Sequence, residues 1–311
     1  MTAKINGKGG EAAVRNTDAF SGCHPLVNFI YFALVLLFGM FFMHPVCLFI
    51  SLVCAWVYAV YLRGGKAVRD GLKYMLPMFI LAAVVNPAFN HEGATILGYL
   101  PSGNPITLES IWYGLAAAAM IIAVITWFTC FNTVITSDKF IYLFGRIIPA
   151  LSLVLSMTLR FIPKFRSQLR VVRDAQKCIG RDTSEGRLTD RLKNAVTILS
   201  IMITWALENA IGTADSMRSR GYGLPGRTAF SIYRFDSRDR TLLIWLLLAG
   251  LYVVAGSAAG GLSFRYYPTV KAASVTPFSV SFLLAYLLLC LTPVILDAME
   301  DRKWKRLRSA V

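Results

Sequence analysis

Two short stretches hold side chains whose types and spacing suit ion-pair recognition: Ala175-Gln176-Lys177-Cys178-Ile179-Gly180 and Ser216-Met217-Arg218-Ser219-Arg220-Gly221-Tyr222-Gly223. In each, cations stand beside a glycine. Glycine lets a partner's backbone come close, the small Ser219 keeps the approach open, and the Arg220 guanidinium is a rigid five-donor fork matched to a carboxylate. A plainer use is equally available: Arg220 complements the negative end of its own helix, for about a few tenths of a kcal/mol. The residues alone leave both readings open.

Catalysis finds no foothold elsewhere. The three histidines, His24, His44 and His91, fall at membrane boundaries or in a tight turn, and no two share a helix. The six cysteines are scattered, with no Cys-x-x-Cys pair and no neighbouring His, which implies neither a disulfide framework nor a metal. Gly64-Gly65-Lys66 lacks the earlier glycine and the hydroxyl of a phosphate-binding loop. The reading is of a chain that is not an enzyme and holds no cofactor itself.

The two stretches need helices to position them. Residues 138 to 240 hold 18 of the 32 Lys and Arg but only 9 of the 17 Asp and Glu. A first helix is expected through Pro163, with Phe165, Leu169, Val172 and Gln176 on one stripe and Arg166, Arg170, Arg173 and Lys177 on the adjacent one at the same spacing. Such a basic stripe suits anionic lipid or an acidic partner. A second helix is expected from about Arg191 to Arg220, with Thr189 or Asp190 as N-cap. Both helices run into glycine, Gly180 and Gly221, as a left-handed C-cap requires.

The rest of the chain is written for a bilayer. With 56% hydrophobic residues, its composition exceeds that of soluble globular domains. A span needs roughly 20 apolar residues, which predicts spans near 25–43, 46–62, 75–89, 108–130, 241–259 and 278–296. The segment before Leu26 carries Lys4, Lys8 and Arg15, and the first apolar run is expected to be a retained span. Lys and Arg number three before Leu26, four in 63–74, 18 in 138–240 and five after 296, against none in 43–46 and 90–107 and two in 260–277. By the positive-inside rule both termini and the basic middle are cytoplasmic. The apolar runs 147–163 and 195–207 are then expected to be interfacial or buried helices, because spanning would carry Lys177, Arg181, Arg187, Arg191 and Lys193 outside. The expected fold is an all-α polytopic membrane protein: a tail (1–24), four spans (25–130), a basic cytoplasmic domain (131–240), two spans (241–296) and a basic tail (297–311). The spans hold essentially no ionisable residue, which argues against an ion-coupled carrier. The net charge of +15 fits inner-surface bias, and no nucleic-acid-binding motif accompanies it.

The order Leu159-Arg160-Phe161-Ile162-Pro163, then Ala175-Gln176 with Gly180, then Ala214-Asp215-Ser216-Met217-Arg218-Ser219-Arg220-Gly221-Tyr222, resembles the transmembrane T component of energy-coupling factor (ECF) vitamin transporters. Asn86-Pro87, Thr107-Leu108-Glu109-Ser110 and Ser137-Asp138-Lys139 extend the resemblance over roughly residues 75 to 235. It implies a non-catalytic scaffold in the cell membrane. Its two coupling helices each end in an Ala-Arg-Gly-type triplet docked on one of two ATPase subunits, which bind the ATP and Mg. Membrane and coupling helices together hold a small substrate-binding S component for a vitamin or similar micronutrient. The second triplet maps to Ser219-Arg220-Gly221. The first maps to Cys178-Ile179-Gly180, which lacks the arginine, so that Lys177 or Arg181 is left to reach the same acid and a heterodimer of ATPases is expected. The alternative is a membrane-anchored regulatory or assembly protein whose basic middle binds lipid or a soluble partner.

Overall fold

The computed structural model describes residues 18–99, 105–145, 148–181, 187–222, 224, 233–272 and 276–309. The first two helices, α1 (Pro25–Phe41) and α2 (Pro45–Arg63), start alike. Proline occupies the first helical position, where its missing N–H costs nothing. The preceding histidine turns Nδ1 onto the second amide: His24 to Leu26 at 3.2 Å and His44 to Val46 at 3.3 Å. The sequence reading had not given either ring this task.

Gly64, at φ +59°, turns the chain from α2 into α3 (Gly65–Asp70), which passes through a π turn (Gly71–Met75) into α4 (Leu76–Phe89). The helical run thus begins ten residues before the expected third span. Pro87 does not end it; the helix runs past it to a cap at Asn90. Proline deprives the Ala83 carbonyl of its helical donor. That oxygen faces Gly114 of α5 (Leu108–Val134), where a Cβ would come within 2.8 Å of it. Close approach needs a glycine there, and it explains the small-residue run from Gly114: Ala116 and Ala118 are buried within this chain.

The remaining helices are α6 (Ser137–Gly145), α7 (Pro149–Cys178), α8 (Leu188–Ser219), α9 (Ser237–Ala258) and α10 (Pro277–Ser309). Two small antiparallel ribbons, unforeseen from sequence, join β1 (Ile96–Tyr99) to β2 (Pro105–Thr107) and β3 (Phe264–Arg265) to β4 (Lys271–Ala272). The first is tied to the start of α5. Thr107 caps Ser110 N at 3.3 Å, and the Glu109 carboxylate accepts from the Thr95 amide and hydroxyl at 3.2 and 2.9 Å.

Among the described residues, six helices are long and apolar enough to cross a membrane: α2, the run 65–89, α5, α8, α9 and residues 277–304 of α10. The protein is an all-α polytopic membrane protein. This set departs from the expected one in including α8 and in leaving out α1, which at 17 residues is apolar but short. Loop charge argued against α8 as a span; length and apolar content alone admit it.

The chain divides into two compact units, one made of the segments up to Lys139 and from Tyr233 onward, the other of Phe140–Ile232. The first is built around an aromatic nest. Phe20, Tyr31, Phe32, Tyr58 and Trp127 are fully buried and meet mostly edge to face, with centroids 5.0 to 6.5 Å apart. Such contacts add to the burial of the rings themselves. Two polar groups inside the nest are paired: Trp127 Nε1 donates to Ser51 Oγ at 3.1 Å, and the Tyr31 hydroxyl to the Cys290 carbonyl at 2.9 Å.

Candidate functional site

The second unit is a pair of long helices, α7 and α8. They cross where the Phe165 and Trp205 rings meet edge to face at 5.5 Å, while Lys164 Nζ lies over Trp205 and donates to Asn209 Oδ1 at 2.7 Å. An apolar groove of about 640 Å³ continues from this crossing, lined on α7 from Phe165 to Arg173 and on α8 from Ala206 back to Ala195. Rising numbers on one helix meet falling numbers on the other, so the helices run in opposite senses. From the crossing, Cys178 and Ser219 each lie about 20 Å away at 1.5 Å per residue, in opposite directions.

Those ends are built alike. At the end of α7, Gly180 N donates to Lys177 O at 3.0 Å and Arg181 N to Gln176 O at 3.0 Å, with Gly180 at φ +77°. At the end of α8, Gly221 N donates to Arg218 O at 3.0 Å and Tyr222 N to Met217 O at 3.0 Å, with Gly221 at φ +73°. Each is a Schellman motif, a left-handed glycine whose two flanking bonds satisfy the last carbonyls of the helix. Position by position, Gly180 matches Gly221, Ile179 matches Arg220 and Cys178 matches Ser219. The residue just before the glycine is thrust outward: Ile179 is 68% exposed, and Arg220 is exposed too. One end presents a bare apolar side chain where the other presents a guanidinium.

The flanking candidates fall around this frame. Lys177, Cys178, Gly180, Arg181 and Ser219 are exposed and Gly221 is half-buried; Ser219 Oγ turns back to the Ser216 carbonyl at 3.0 Å. Arg166, Arg170 and Arg173 are all exposed on α7, and Arg166 and Arg173 line the groove. Of the companion stripe, Val172 is buried, Gln176 is half-buried, and Phe165 and Leu169 remain open. The N-cap of α8 is Arg187 rather than Thr189 or Asp190, because the helix starts at Leu188; Asp190 sits in its first turn, where a carboxylate favours the helix dipole.

Two features escaped the sequence reading. Gln176, whose carbonyl closes the first Schellman motif, holds its side-chain Oε1 buried with no partner among the described residues. And α8, expected to be interfacial or buried, buries little. Leu192, Val196, Leu199, Ile203, Leu207 and Ile211, at steps of three and four, are each at least 52% exposed. The spacing was visible in the sequence, but the short apolar run drew attention to its length and not to its face.

Comparison with known proteins agrees with this architecture. Residues 22–230 match the model of the CbiQ family, described as cobalt transport protein. A transmembrane protein of an energy-coupling factor transporter from Listeria innocua is 30% identical over 219 residues, 65% of this chain and 81% of its own. A second from Listeria monocytogenes is 26% identical over 265 residues, 80% and 96% of the two chains. One from Lactococcus lactis is 33% identical over 108 residues, 34% of this chain and 41% of its own length. The chain belongs to the CbiQ cobalt transport protein family. Within it, it is the transmembrane T component of an ECF transporter.

Proposed function

We propose that the protein is the non-catalytic coupling scaffold of an ECF-type importer. It passes the motion of two cytoplasmic ATPase subunits, which hold the ATP and Mg, to a small membrane-embedded S component that carries a vitamin or similar micronutrient. The observation that carries this reading is the pair of matched helix ends, alike in backbone and pointing apart, each offering one outward side chain beside a close-approach glycine. Residues Cys178-Ile179-Gly180 and Ser219-Arg220-Gly221 are the docking points. Lys177 and Arg181 flank the first. Since isoleucine faces one partner and arginine the other, the two ATPases differ. The exposed apolar stripe of α8 and the adjoining groove form the platform for the S component, and Arg166, Arg170 and Arg173 meet anionic headgroups at the inner surface.

On this reading the division is a tail (1–24), spans over 25–130, a cytoplasmic coupling domain (131–240), spans over 241–296 and a basic tail (297–311), with both termini in the cytoplasm. Neither nucleic acid nor a cofactor belongs to the chain itself. Purification of the tagged protein from its native membrane tests the proposal. Two different nucleotide-binding subunits and a small apolar membrane subunit should come with it. Recovery of the chain with lipid alone, or with one kind of ATPase, would refute the scaffold or the inequality respectively.

A further inference from the structure

A polar cluster in the membrane unit has no part in this coupling reading. The turn from Asp18 to Cys23 precedes α1, and its Phe20 amide points at two carboxyl groups at once: Asp18 Oδ1 at 3.2 Å and Asp297 Oδ1, on α10, at 3.1 Å. The two carboxyls thus converge on a single N–H. Asp297 is 2% exposed, and its Oδ2 is buried with no partner among the described residues. Tyr58 of α2 donates its hydroxyl to Asp18 Oδ2 at 3.3 Å. Beneath the turn the Phe20 ring is seated in the aromatic nest, so the turn is fixed in place.

Two ionised carboxylates crowded on one N–H repel each other, and a buried oxygen without a donor adds its own desolvation cost. A second charge would need a cation, and among the described residues the nearby ones are engaged elsewhere. Lys139 of α6 donates to the Ser21 and Val134 carbonyls. Arg238 of α9 donates to the Ala19 carbonyl at 3.0 Å and to Cys23 Sγ at 3.1 Å, and pairs with Glu300 at 3.2 Å. Arg63 of α2 pairs with Asp70 at 3.6 Å. The other acids are placed too: Asp239 accepts from the His24 and Asp236 amides at 3.1 and 3.2 Å, and Asp301 lies one turn beyond Asp297 on α10.

We propose that Asp18 and Asp297 share a single proton, forming a latch that holds the Asp18–Cys23 turn against α10 and releases it when that proton is lost. A proton on Asp297 Oδ2 gives the orphan oxygen a hydrogen bond to make, toward Asp18. One negative charge then remains, held by the Phe20 N–H and the Tyr58 hydroxyl. The latch closes the first described turn of the chain onto its last helix.

Cys23 reports the state of the latch, because it is buried within the same turn, and exposed Cys178 supplies an internal standard for thiolate chemistry. The full chain in lipid nanodiscs is alkylated across neutral to alkaline pH, and the ratio of modified Cys23 to modified Cys178 is read by peptide mass spectrometry. Opening linked to one proton should raise that ratio by up to about tenfold per pH unit as the pH climbs toward the titration point of the closed latch, and the ratio should level off beyond it. Asp297→Asn and Asp18→Asn mimic the neutral partner and should stay closed at neutral pH while losing the alkaline step. Asp297→Ala should be open throughout. If Asp297→Asn is as open at neutral pH as Asp297→Ala, or keeps the wild-type alkaline step, the shared proton is refuted.

Discussion

The membrane unit and the helical pair formed by α7 and α8 differ in what lies at their centre. The first gathers one set of large side chains inward, while others, Phe41, Phe49 and Phe89 among them, face outward. Trp127, Tyr31, Tyr58 and Tyr286 are all buried, Gly256 lets Phe282 press where a Cβ would come within 2.4 Å, and the buried indole and Tyr31 hydroxyl have partners within the chain. In the second, Val172 and Ile198 are the buried apolar residues among those described, while six apolar side chains stand outward along α8. A unit that buries its apolar surface determines its own shape. A stripe left uncovered in this way is open to lipid or to another protein.

That contrast is most open to challenge at its two tryptophans. Trp127 lies in the aromatic nest, and Trp127→Ala removes a large buried side chain and a buried hydrogen bond; the expected loss is about 3 to 5 kcal/mol. Trp205, at the crossing of α7 and α8, is only half-buried, and Trp205→Ala forfeits chiefly one edge-to-face contact and the cation over its ring, about 1 kcal/mol. Thermal unfolding in detergent should show a large drop in Tm for the first and a small one for the second. Equal drops would mean that the helical pair is as self-sufficient as the membrane unit.

Next in size come the helix ends. Truncating one member of a buried charge pair at an interface costs on the order of 2 to 5 kcal/mol, whereas a rim charge costs far less. Arg220→Ala should strip one ATPase from the complex on a column, or uncouple ATP hydrolysis from uptake in proteoliposomes. Ile179→Ala should weaken the other attachment less, Lys177→Ala and Arg181→Ala should change little, and Ile179→Arg should be tolerated where the opposing groove keeps an acid. An unchanged Arg220→Ala complex together with a lost one for Lys177→Ala would place the charged anchor on α7 instead of α8.

The match of Ile179 to Arg220 was legible in the sequence because a glycine closes both helices, and left-handed caps are local: Gly180 and Gly221 dictate where each helix stops whatever surrounds it. Five of the six expected spans were legible for a similar reason, since a bilayer imposes length and apolarity on each segment separately; α1 falls short of span length and α8 was not counted. What sequence reasoning missed depends on neighbours far along the chain. Nothing near Asp297 announces Asp18, 279 positions earlier, and nothing near Pro87 says that Gly114 will receive the freed Ala83 carbonyl. The start of α8 was placed late because Thr189 and Asp190 are good capping types, while the observed cap, Arg187, makes no side-chain capping bond.

The smallest expected effect tests whether the membrane unit is self-determined down to its helix starts. His24 and His44 each accept an amide N–H at Nδ1, which requires that nitrogen to be unprotonated. Burial pushes both imidazoles below their ordinary 6.5; for His24 the nearby Asp239 carboxylate pulls the other way and loses. With the folded value below the unfolded one, the caps contribute fully above about pH 6.5 and are lost as the pH falls through the folded values beneath it. A cap is worth about 1 kcal/mol. Asparagine caps without titrating, so His24→Asn and His44→Asn together should match the wild type near pH 7.5 and be more resistant to unfolding near pH 5. Tm measured at both pH values decides it. The same acid loss in the double variant as in the wild type would mean that the two rings merely stand at the helix starts, and that α1 and α2 are held by their neighbours in the bundle.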